Sequence, residues 1–392
     1  MQRFPGGILA VDYFGDVDLL ALRTRLPVTV VATHRDRGLG RSSAALGHAA
    51  LDLTWDAVVY GGGLENRPGL LRLFGHRGTI LGNDPVAVRQ VRNPAILFRF
   101  LDASGLPHAR TDADARHAPS CDADRKDEPT APASAFLWKR TRGGGGGGVL
   151  VARPGEPRPR GHHLQRLLHG VNGSAAFLSD GRRALLLGAS RQISGWRALG
   201  GDRFRYGGSI AGALESWLPA EALRFLHRTA GALTRRFGLR GLNGFDFILH
   251  EGRPCLVEVN PRYTASMELF EEMTGGSLMD LHLSVLGGEP LPRRAPTPRP
   301  GSPAVLGKGI LYADASCVAP PPDRLAALGG RDLPAEGEVL EAGQPVCTIV
   351  APAASPGDCV RELELRANRA RRMLAGRPEP PRPRLPALLQ TW

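Results

Sequence analysis

Lysine is scarce in this 392-residue chain although the chain is basic: there are three lysines, Lys126, Lys139 and Lys308, against 47 arginines. Aromatic residues make up only 6% of the chain, too few for the platforms on which nucleic-acid bases stack. The arginines behind the net charge of +12 are spread along the whole sequence, as a high-GC genome would produce. The basic charge therefore does not indicate a nucleic-acid partner.

Membrane spans, secretion signals and paired cysteines are lacking too. No apolar run approaches the roughly 20 residues that cross a bilayer, and residues 1–5 show no basic-then-apolar signal pattern. The five cysteines are scattered without a C-x-x-C pair, which predicts reduced thiols and a cytoplasmic protein. A chain of this length has room for two or three domains.

The most informative stretch of the sequence is residues 244–262, which predicts two strands joined at Glu251-Gly252. Side chains alternate along a strand, so Glu258 and Asn260 share one face. A three-residue turn would add Asp246 to that face, whereas a two-residue turn would put it on the other. Two carboxylates and an amide oxygen on one face favour Mg²⁺. The alternative is an ordinary amphipathic hairpin whose acidic face is solvated.

A second stretch pairs one of the rare lysines with glycine. Lys139 ends an apolar run and is followed by six glycines, 143–148, and then by a second apolar run. This pattern predicts a hairpin whose flexible tip can bring backbone N–H groups onto phosphate oxygens, with lysine as a compact charge beside them. No G-K-S/T follows the glycines, so it is not a Walker loop. The alternative is a low-complexity linker; we favour the phosphate loop because strands flank it.

Together with residues 163–170, these stretches resemble the ATP-grasp superfamily, in the family's order and over about residues 90–290. Within it, the chain is most similar to predicted ATP-dependent carboligases related to biotin carboxylase, found with one-carbon cofactor genes of methylotrophs. The resemblance implies an α/β and α+β ATP-grasp fold with a Rossmann-like N-terminal domain and a small C-terminal β-rich segment. In members of the family, a strand and a helix usually come before the segment that corresponds to residues 11–16. Here almost nothing precedes that segment, so a truncated or misassigned start stays open.

The resemblance also implies roles for individual residues. Arg262 would neutralise the transferring phosphoryl group, or form a salt bridge with Glu258. Arg92 stands near a position where relatives commonly have Asp-Lys, so it either replaces that lysine or one phosphate contact is missing. The remaining implied contacts are to the phosphates (Lys139, Gly144, Gly145, Gly146 and Gly147), to the adenosine (Gln165, Leu168 and His169) and to Mg²⁺ or Mn²⁺ (Asp246, Glu258 and Asn260).

Composition and periodicity divide the chain into five parts. Residues 1–92 alternate strands and helices, as expected of a parallel α/β unit. Their loops at 12–16 and 61–66 are candidates for the substrate site, or are ordinary turns. Residues 93–290 form the nucleotide-binding region, with a loop insert at 112–134. A proline-rich linker at 291–303, a β-rich segment at 304–375 and a loose tail at 376–392 follow.

These parts predict an ATP-dependent ligase that activates a carboxylate as an acyl phosphate and joins it to an amine, producing ADP. One-carbon cofactor assembly, of the tetrahydromethanopterin or methanofuran type, is the expected pathway. The expected cofactors are ATP and Mg²⁺ or Mn²⁺, and the partners are small-molecule acids and amines, with no membrane; the chain could form a homodimer. An ATP-grasp carboxylase, a kinase and a non-catalytic nucleotide-binding protein stay open as alternatives.

Overall fold

A computed structural model of the chain describes residues 7–32, 43–119, 135–214 and 217–376. Most of the predicted insert at 112–134 and of the predicted tail at 376–392 lies outside the described residues. In the N-terminal part, short parallel strand pairs alternate with helices. The strands are β1 (Ile8–Asp12), β2 (Val28–Ala32), β3 (Ala57–Val58) and β4 (Thr79–Ile80), and the helices are α1 (Val17–Ala21), α2 (Ser43–Leu51), α3 (Pro68–Arg77) and α4 (Pro85–Val91).

Two helix starts in this region follow directly from local sequence. Asp84 caps α4 by accepting from the Val86 backbone N–H. Asn93 caps the next helix, α5 (Pro94–Ala103), by accepting from Ala95 and Ile96. In both cases proline occupies the first helical position, where its missing N–H costs nothing. Arg92, which directly follows α4 and precedes Asn93, is the C-cap of α4.

A small antiparallel sheet follows, with strand order β5-β8-β6-β7. Its strands are β5 (Thr111–Asp112), β6 (Phe136–Arg140), β7 (Val149–Ala152) and β8 (His162–Arg166). The glycine run joins β6 to β7, as the sequence predicts for a hairpin tip. Trp138, which is fully buried, packs with Phe136 and Leu164 in a core of its own.

The largest element is an eight-stranded antiparallel sheet with strand order β13-β12-β9-β10-β11-β14-β18-β16. Its strands are β9 (Val171–Asp180), β10 (Ala184–Ser194), β11 (Tyr206–Gly212), β12 (Arg240–His250), β13 (Arg253–Asn260), β14 (Val305–Tyr312), β16 (Gly330–Arg331) and β18 (Pro345–Ala353). Two further short strands, β15 (Cys317–Val318) and β17 (Val339–Leu340), pair with each other. The remaining helices are α6 (Ala220–Phe237), α7 (Met267–Thr274), α8 (Leu278–Leu286), α9 (Pro322–Ala326) and α10 (Pro356–Leu374).

Helices cover both faces of this sheet. Phe245 and Phe247 of β12 pack on the face that α5 and α6 cover, whereas Leu242 and Leu306 lie on the opposite face with α7 and α8. Strands β14 and β18 carry the sheet onward to a third apolar cluster that includes α10. The residues predicted as a C-terminal β-rich segment therefore extend the large sheet. None of the described helices is both long and apolar enough to cross a membrane.

Candidate functional site

The hairpin of β12 and β13 places Asp246 opposite Glu258, although its turn is the short kind. Glu251 and Gly252 form a two-residue turn, both with positive φ, and His250 pairs with Arg253 across it. That register would pair Asp246 with Val257 and point the two carboxylates to opposite faces. A β-bulge intervenes, because Phe247 pairs with Leu256 while Asp246 pairs with Glu258. The bulge shifts the register by one residue and puts both carboxylates on one face.

The two carboxylates are unequally stabilised. Burial, with the neighbouring Glu258 charge, raises the pKa of Asp246 to about 7. Burial alone would also raise the pKa of Glu258, but the positive charges of Lys139, Arg92 and Arg262 hold it below its usual value. Asp246 accepts hydrogen bonds from Gln192 Nε2 at 2.9 Å and Asn260 Nδ2 at 3.2 Å.

Such a site fits a divalent cation. Two carboxylates close enough to disfavour each other's ionisation are relieved by positive charge between them. Asn260, which is 6% exposed, lies against Asp246 and supplies a third oxygen-bearing side chain. The donor set of two carboxylates and an amide is the oxygen-rich kind that Mg²⁺ and Mn²⁺ take.

Lys139 is held beside this pair by the small sheet. Its Nζ lies 3.8 Å from Glu258 Oε2 and donates to Gln165 Oε1 at 3.1 Å. Burial lowers the pKa of Lys139, and the charges of Glu258 and Asp246 oppose that shift. Gln165 donates from Nε2 to Thr111 Oγ1 and Val257 O. The amide of Gln165, expected at the adenosine, thus lies beneath Lys139 and orients the ammonium.

His163 begins the 163–170 stretch and is a site residue that received no role from the sequence. It pairs with Lys139 across β6 and β8 and lines a cavity of about 30 Å³ with Arg92, Lys139 and Glu258. Burial and the Lys139 charge lower the pKa of His163 to about 3. The imidazole is therefore neutral at physiological pH and adds no charge to the phosphate side of the site.

The glycine run closes onto the large sheet through its backbone. The Tyr206 N–H donates to Gly145 O at 3.0 Å. Gly146 has φ +77, and a Cβ there would lie 1.8 Å from Phe204 O. A Cβ at Gly144 would lie 3.9 Å from Asn66 Nδ2 and 4.0 Å from Glu65 Oε1 of the N-terminal part, at ordinary van der Waals distance. Only residues without a side chain allow this approach at Gly146, which explains glycine there physically.

Arg92 joins three parts of the site. Its guanidinium donates to Asn66 Oδ1 at 2.8 Å, to Gly143 O at 2.6 Å and to Val259 O at 3.0 Å. Its Nη1 also lies 3.9 Å from Glu258 Oε1. The forked guanidinium thus connects the 61–66 loop, the root of the glycine run and the β13 strand, a geometry that lysine could not reproduce.

Arg262 pairs with Glu65, and not with Glu258 as the alternative in the sequence analysis had it. Its Nε lies 2.9 Å from Glu65 Oε1, and Glu65 is only 1% exposed. The second carboxylate oxygen of Glu65 has no hydrogen-bond partner within the described ranges. Glu65 lies two residues after the 61–63 glycines, so the 61–66 loop, a candidate for the substrate site, contacts Arg262.

Leu168 and His169 lie further along the hairpin than the charged residues. Leu168 is buried, and the His169 carbonyl accepts from His250 Nδ1 at 2.7 Å. His250 is four residues beyond Asp246 on β12, or roughly 13 Å at 3.3 Å per residue. His169 therefore lies near the turn end of β12, away from the carboxylates, and its contact with adenosine stays a prediction.

Residues 111–266 match the ATP-grasp domain family. This match spans the small sheet and strands β9 to β13, which is less than half of the chain. An uncharacterized protein of Methanocaldococcus jannaschii is 29% identical to this chain over 122 residues, covering 31% of this chain and 28% of that protein. The chain's matches span 28% or less of the length of the curated relatives.

Two solved structures extend the ATP-grasp likeness to most of the chain. The biotin carboxylase domain of Hydrogenobacter thermophilus 2-oxoglutarate carboxylase, in complex with MgADP, ADP and bicarbonate, has a TM-score of 0.62 at 15% identity, covering 89% of this chain and 81% of that one. Carboxyaminoimidazole ribonucleotide synthase of Aspergillus clavatus, complexed with ATP, has a TM-score of 0.62 at 15% identity, covering 93% and 99%. The predicted mixed α/β ATP-grasp fold is confirmed.

Gln192 is a site residue that the sequence analysis missed. It projects from β10 and bonds Asp246 across the intervening strand β9. The signal for it is weak, since Gln192 belongs to an 11-residue strand of otherwise mostly small and apolar side chains. A polar residue among buried ones is the pattern that could have identified it.

Proposed function

We propose that this chain is an ATP-dependent ligase that activates a carboxylate as an acyl phosphate and joins it to an amine, with release of ADP. The observation that carries the proposal is the bulged hairpin, which brings Asp246, Glu258 and Asn260 together beside Lys139. The ATP-grasp fold supports it, as do neighbouring structures that contain MgADP or ATP.

The residues of the site divide naturally between metal and nucleotide. Asp246, Glu258 and Asn260 would hold Mg²⁺ or Mn²⁺. Lys139 would contact the phosphates, oriented by Gln165. When bound, the metal supplies positive charge that offsets the charge of the phosphates during transfer. The backbone N–H groups of Gly144 to Gly147 would cover the phosphates from the opposite side.

The reaction needs positioning more than covalent chemistry from the protein. The substrate carboxylate attacks the γ-phosphorus and ADP leaves; the amine then attacks the acyl carbon and phosphate leaves. Arg262, which pairs with Glu65, would neutralise the phosphoryl group or the acyl phosphate. Closure of the glycine loop excludes water, which would otherwise hydrolyse the acyl phosphate.

The pathway is the most specific part of the proposal. We place the ligase in one-carbon cofactor assembly, where an amino acid is joined to a furan- or pterin-type compound. This rests on the sequence resemblance to the carboligases of methylotrophs. Accumulation of the unligated acid in a gene-deletion strain, measured by mass spectrometry, would support that placement, whereas unchanged cofactor levels would oppose it.

An ADP-release screen tests the reaction. Acid and amine pairs are mixed with Mg-ATP, and ADP is measured for the wild type, for Glu258→Gln and for Glu272→Gln. Glu272 pairs with Arg331 on the surface of α7 and is the matched control. We expect a pair that requires both acid and amine, and a loss on the order of 100-fold in Glu258→Gln alone. Equal turnover by wild type and Glu258→Gln would refute the assignment.

Carboxylation is the second candidate, because the biotin carboxylase neighbour contains bicarbonate. The two reactions differ in what ADP release requires. A ligase requires an amine and ignores bicarbonate, whereas a carboxylase requires bicarbonate. Omitting each from the same assay, in CO₂-free buffer, separates them.

A further inference from the structure

Lys308 is a buried lysine that the proposed reaction leaves without a role. It lies on β14, is 5% exposed, and donates to Glu268 at the start of α7. The Glu268 side chain, by contrast, keeps 33% of its surface exposed. The chain uses arginine for nearly all its other cations, so a compact ammonium at this place is unusual for it. Burying an ammonium costs several kcal/mol unless it is well paired.

Lys308 ends a row of polar side chains on the sheet face that carries Asp246. Lys308 is opposite Ser209, and Ser209 is opposite Gln192. Gln192 bonds Asp246 itself. On the strands nearer the metal site, Asp246 of β12 pairs with Ser174 of β9, and Ser174 pairs with Ser190 of β10. The row therefore runs from the predicted metal site across β9, β10 and β11 to Lys308.

Two members of this row have unused hydrogen-bonding capacity. Ser190 is fully buried, and its hydroxyl has no partner in the described part of the chain. The Lys308 ammonium has three donors, yet Glu268 is its one side-chain acceptor among the described residues. Buried polar groups are nearly always satisfied, so the unpartnered Ser190 hydroxyl, together with the spare donors of Lys308, indicates a ligand that completes this row.

Tyr206 links this row to the nucleotide loop. Its hydroxyl is hydrogen-bonded to Ser209 at 2.8 Å, and its N–H holds Gly145. Burial raises the pKa of Tyr206, and the charges of Glu268 and Asp246 add to the effect. The phenol is therefore neutral, and the charges of both Asp246 and Glu268 act on it.

We propose that Lys308 binds a second carboxylate of the acid substrate, which makes a dicarboxylic acid the substrate class. This rests on the proposed ligase function, since the first carboxylate is the one that ATP activates. The substrate's distal carboxylate replaces Glu268 on Lys308, and Glu268 turns to solvent, where it is already partly exposed. Asp246 and Lys308 lie four strand spacings apart, roughly 19 Å between backbones at 4.8 Å per strand. After the side chains and the phosphate are accommodated, a chain of several carbons fits between them.

The test is binding of matched acids to the full-length protein saturated with Mg-ADP. Straight-chain dicarboxylates from succinate to suberate are compared by calorimetry with the monocarboxylates of equal length. We expect at least one dicarboxylate to bind ten times or more tighter than its monocarboxylate. Lys308→Met should remove that difference, with the dissociation constant of Mg-ADP unchanged within about twofold.

Glu268→Gln gives a second test, which can still be carried out if Lys308→Met does not fold. Removing the competing carboxylate should tighten dicarboxylate binding several-fold, whereas Glu272→Gln, on the same helix, should leave it unchanged. If the Lys308–Glu268 ion pair is purely structural, Lys308→Met and Glu268→Gln should both lower the melting temperature, and neither should alter the preference for dicarboxylates. That result, or equal binding of mono- and dicarboxylates by the wild type, overturns the inference. Failure of the wild type to bind Mg-ADP would instead contradict the proposed function and this inference with it.

Discussion

The affinity for Mg-ADP should rise with pH through neutrality, because Asp246 must lose its proton to bind the metal. Burial and Glu258 raise the pKa of Asp246 to about 7. Roughly a tenth of the protein then carries an ionised Asp246 at pH 6, and about nine tenths at pH 8. The apparent affinity should therefore rise about tenfold between these values, or ~1.4 kcal/mol.

The same shift has a defined sign for stability. The carboxyl of Asp246 has a higher pKa in the folded than in the unfolded chain, so the folded state holds the extra proton. Without ligand, stability is lost as pH rises from about 4 through about 7. Metal and nucleotide bind the ionised form, so the melting-temperature increase produced by Mg-ADP should grow from pH 6 to pH 8.

Calorimetric titration of Mg-ADP at pH 6, 7 and 8 measures this effect, with Asp246→Asn as the control. ADP titrates near neutrality itself, but it does so equally in both proteins, so the difference between them isolates Asp246. We expect weaker and less pH-dependent binding by the variant. The same pH dependence in both proteins would refute the reasoning that Asp246 is a metal ligand with a raised pKa.

Three further predictions concern the loop, the connecting arginine and the core. Gly146→Ala should raise the KM for ATP at least about tenfold because its Cβ meets a backbone oxygen at positive φ. Gly144→Ala should change it little, because a Cβ there would lie 3.9 Å or more from its nearest neighbours. Steady-state kinetics measures both, and equal effects would contradict the loop's role. Arg92→Lys keeps the charge but loses the forked contacts, so it should raise the same KM on the order of tenfold, and an unchanged KM would show that the fork is dispensable. Phe245→Ala should lower the unfolding free energy by about 3–5 kcal/mol in urea titrations, against less than ~0.5 kcal/mol for the exposed Leu73→Ala; a similar loss in both would contradict the core assignment.

The position of Asp246 shows what strand patterns leave undecided. Alternation correctly pairs Glu258 with Asn260 on one face, and Glu251-Gly252 correctly predicts a turn. Turn length alone would have separated Asp246 from Glu258, and the bulge at Val257 reverses that outcome. A bulge is one extra residue whose location depends on packing against the neighbouring strand and on partners such as Gln165, so the local pattern cannot locate it.

Long-range contacts explain the other differences. Glu65 reaches Arg262 and Gln192 reaches Asp246 across large sequence separations, and no local periodicity encodes such pairs. Strand β14, in contrast, lies in the segment that the sequence predicts to be β-rich, but its membership of the large sheet depends on register with β11. Local chemistry predicted elements and candidate groups well; the partners of those groups came from tertiary packing.

Transfer of oxygen from the acid to phosphate tests the central claim most directly. The acid found in the ADP-release screen is labelled with ¹⁸O in both carboxylate oxygens and turned over with Mg-ATP and the amine. If the carboxylate is activated as an acyl phosphate, one ¹⁸O must appear in each phosphate released, as mass spectrometry would detect. Phosphate that carries no label would contradict the ligase mechanism proposed for this site.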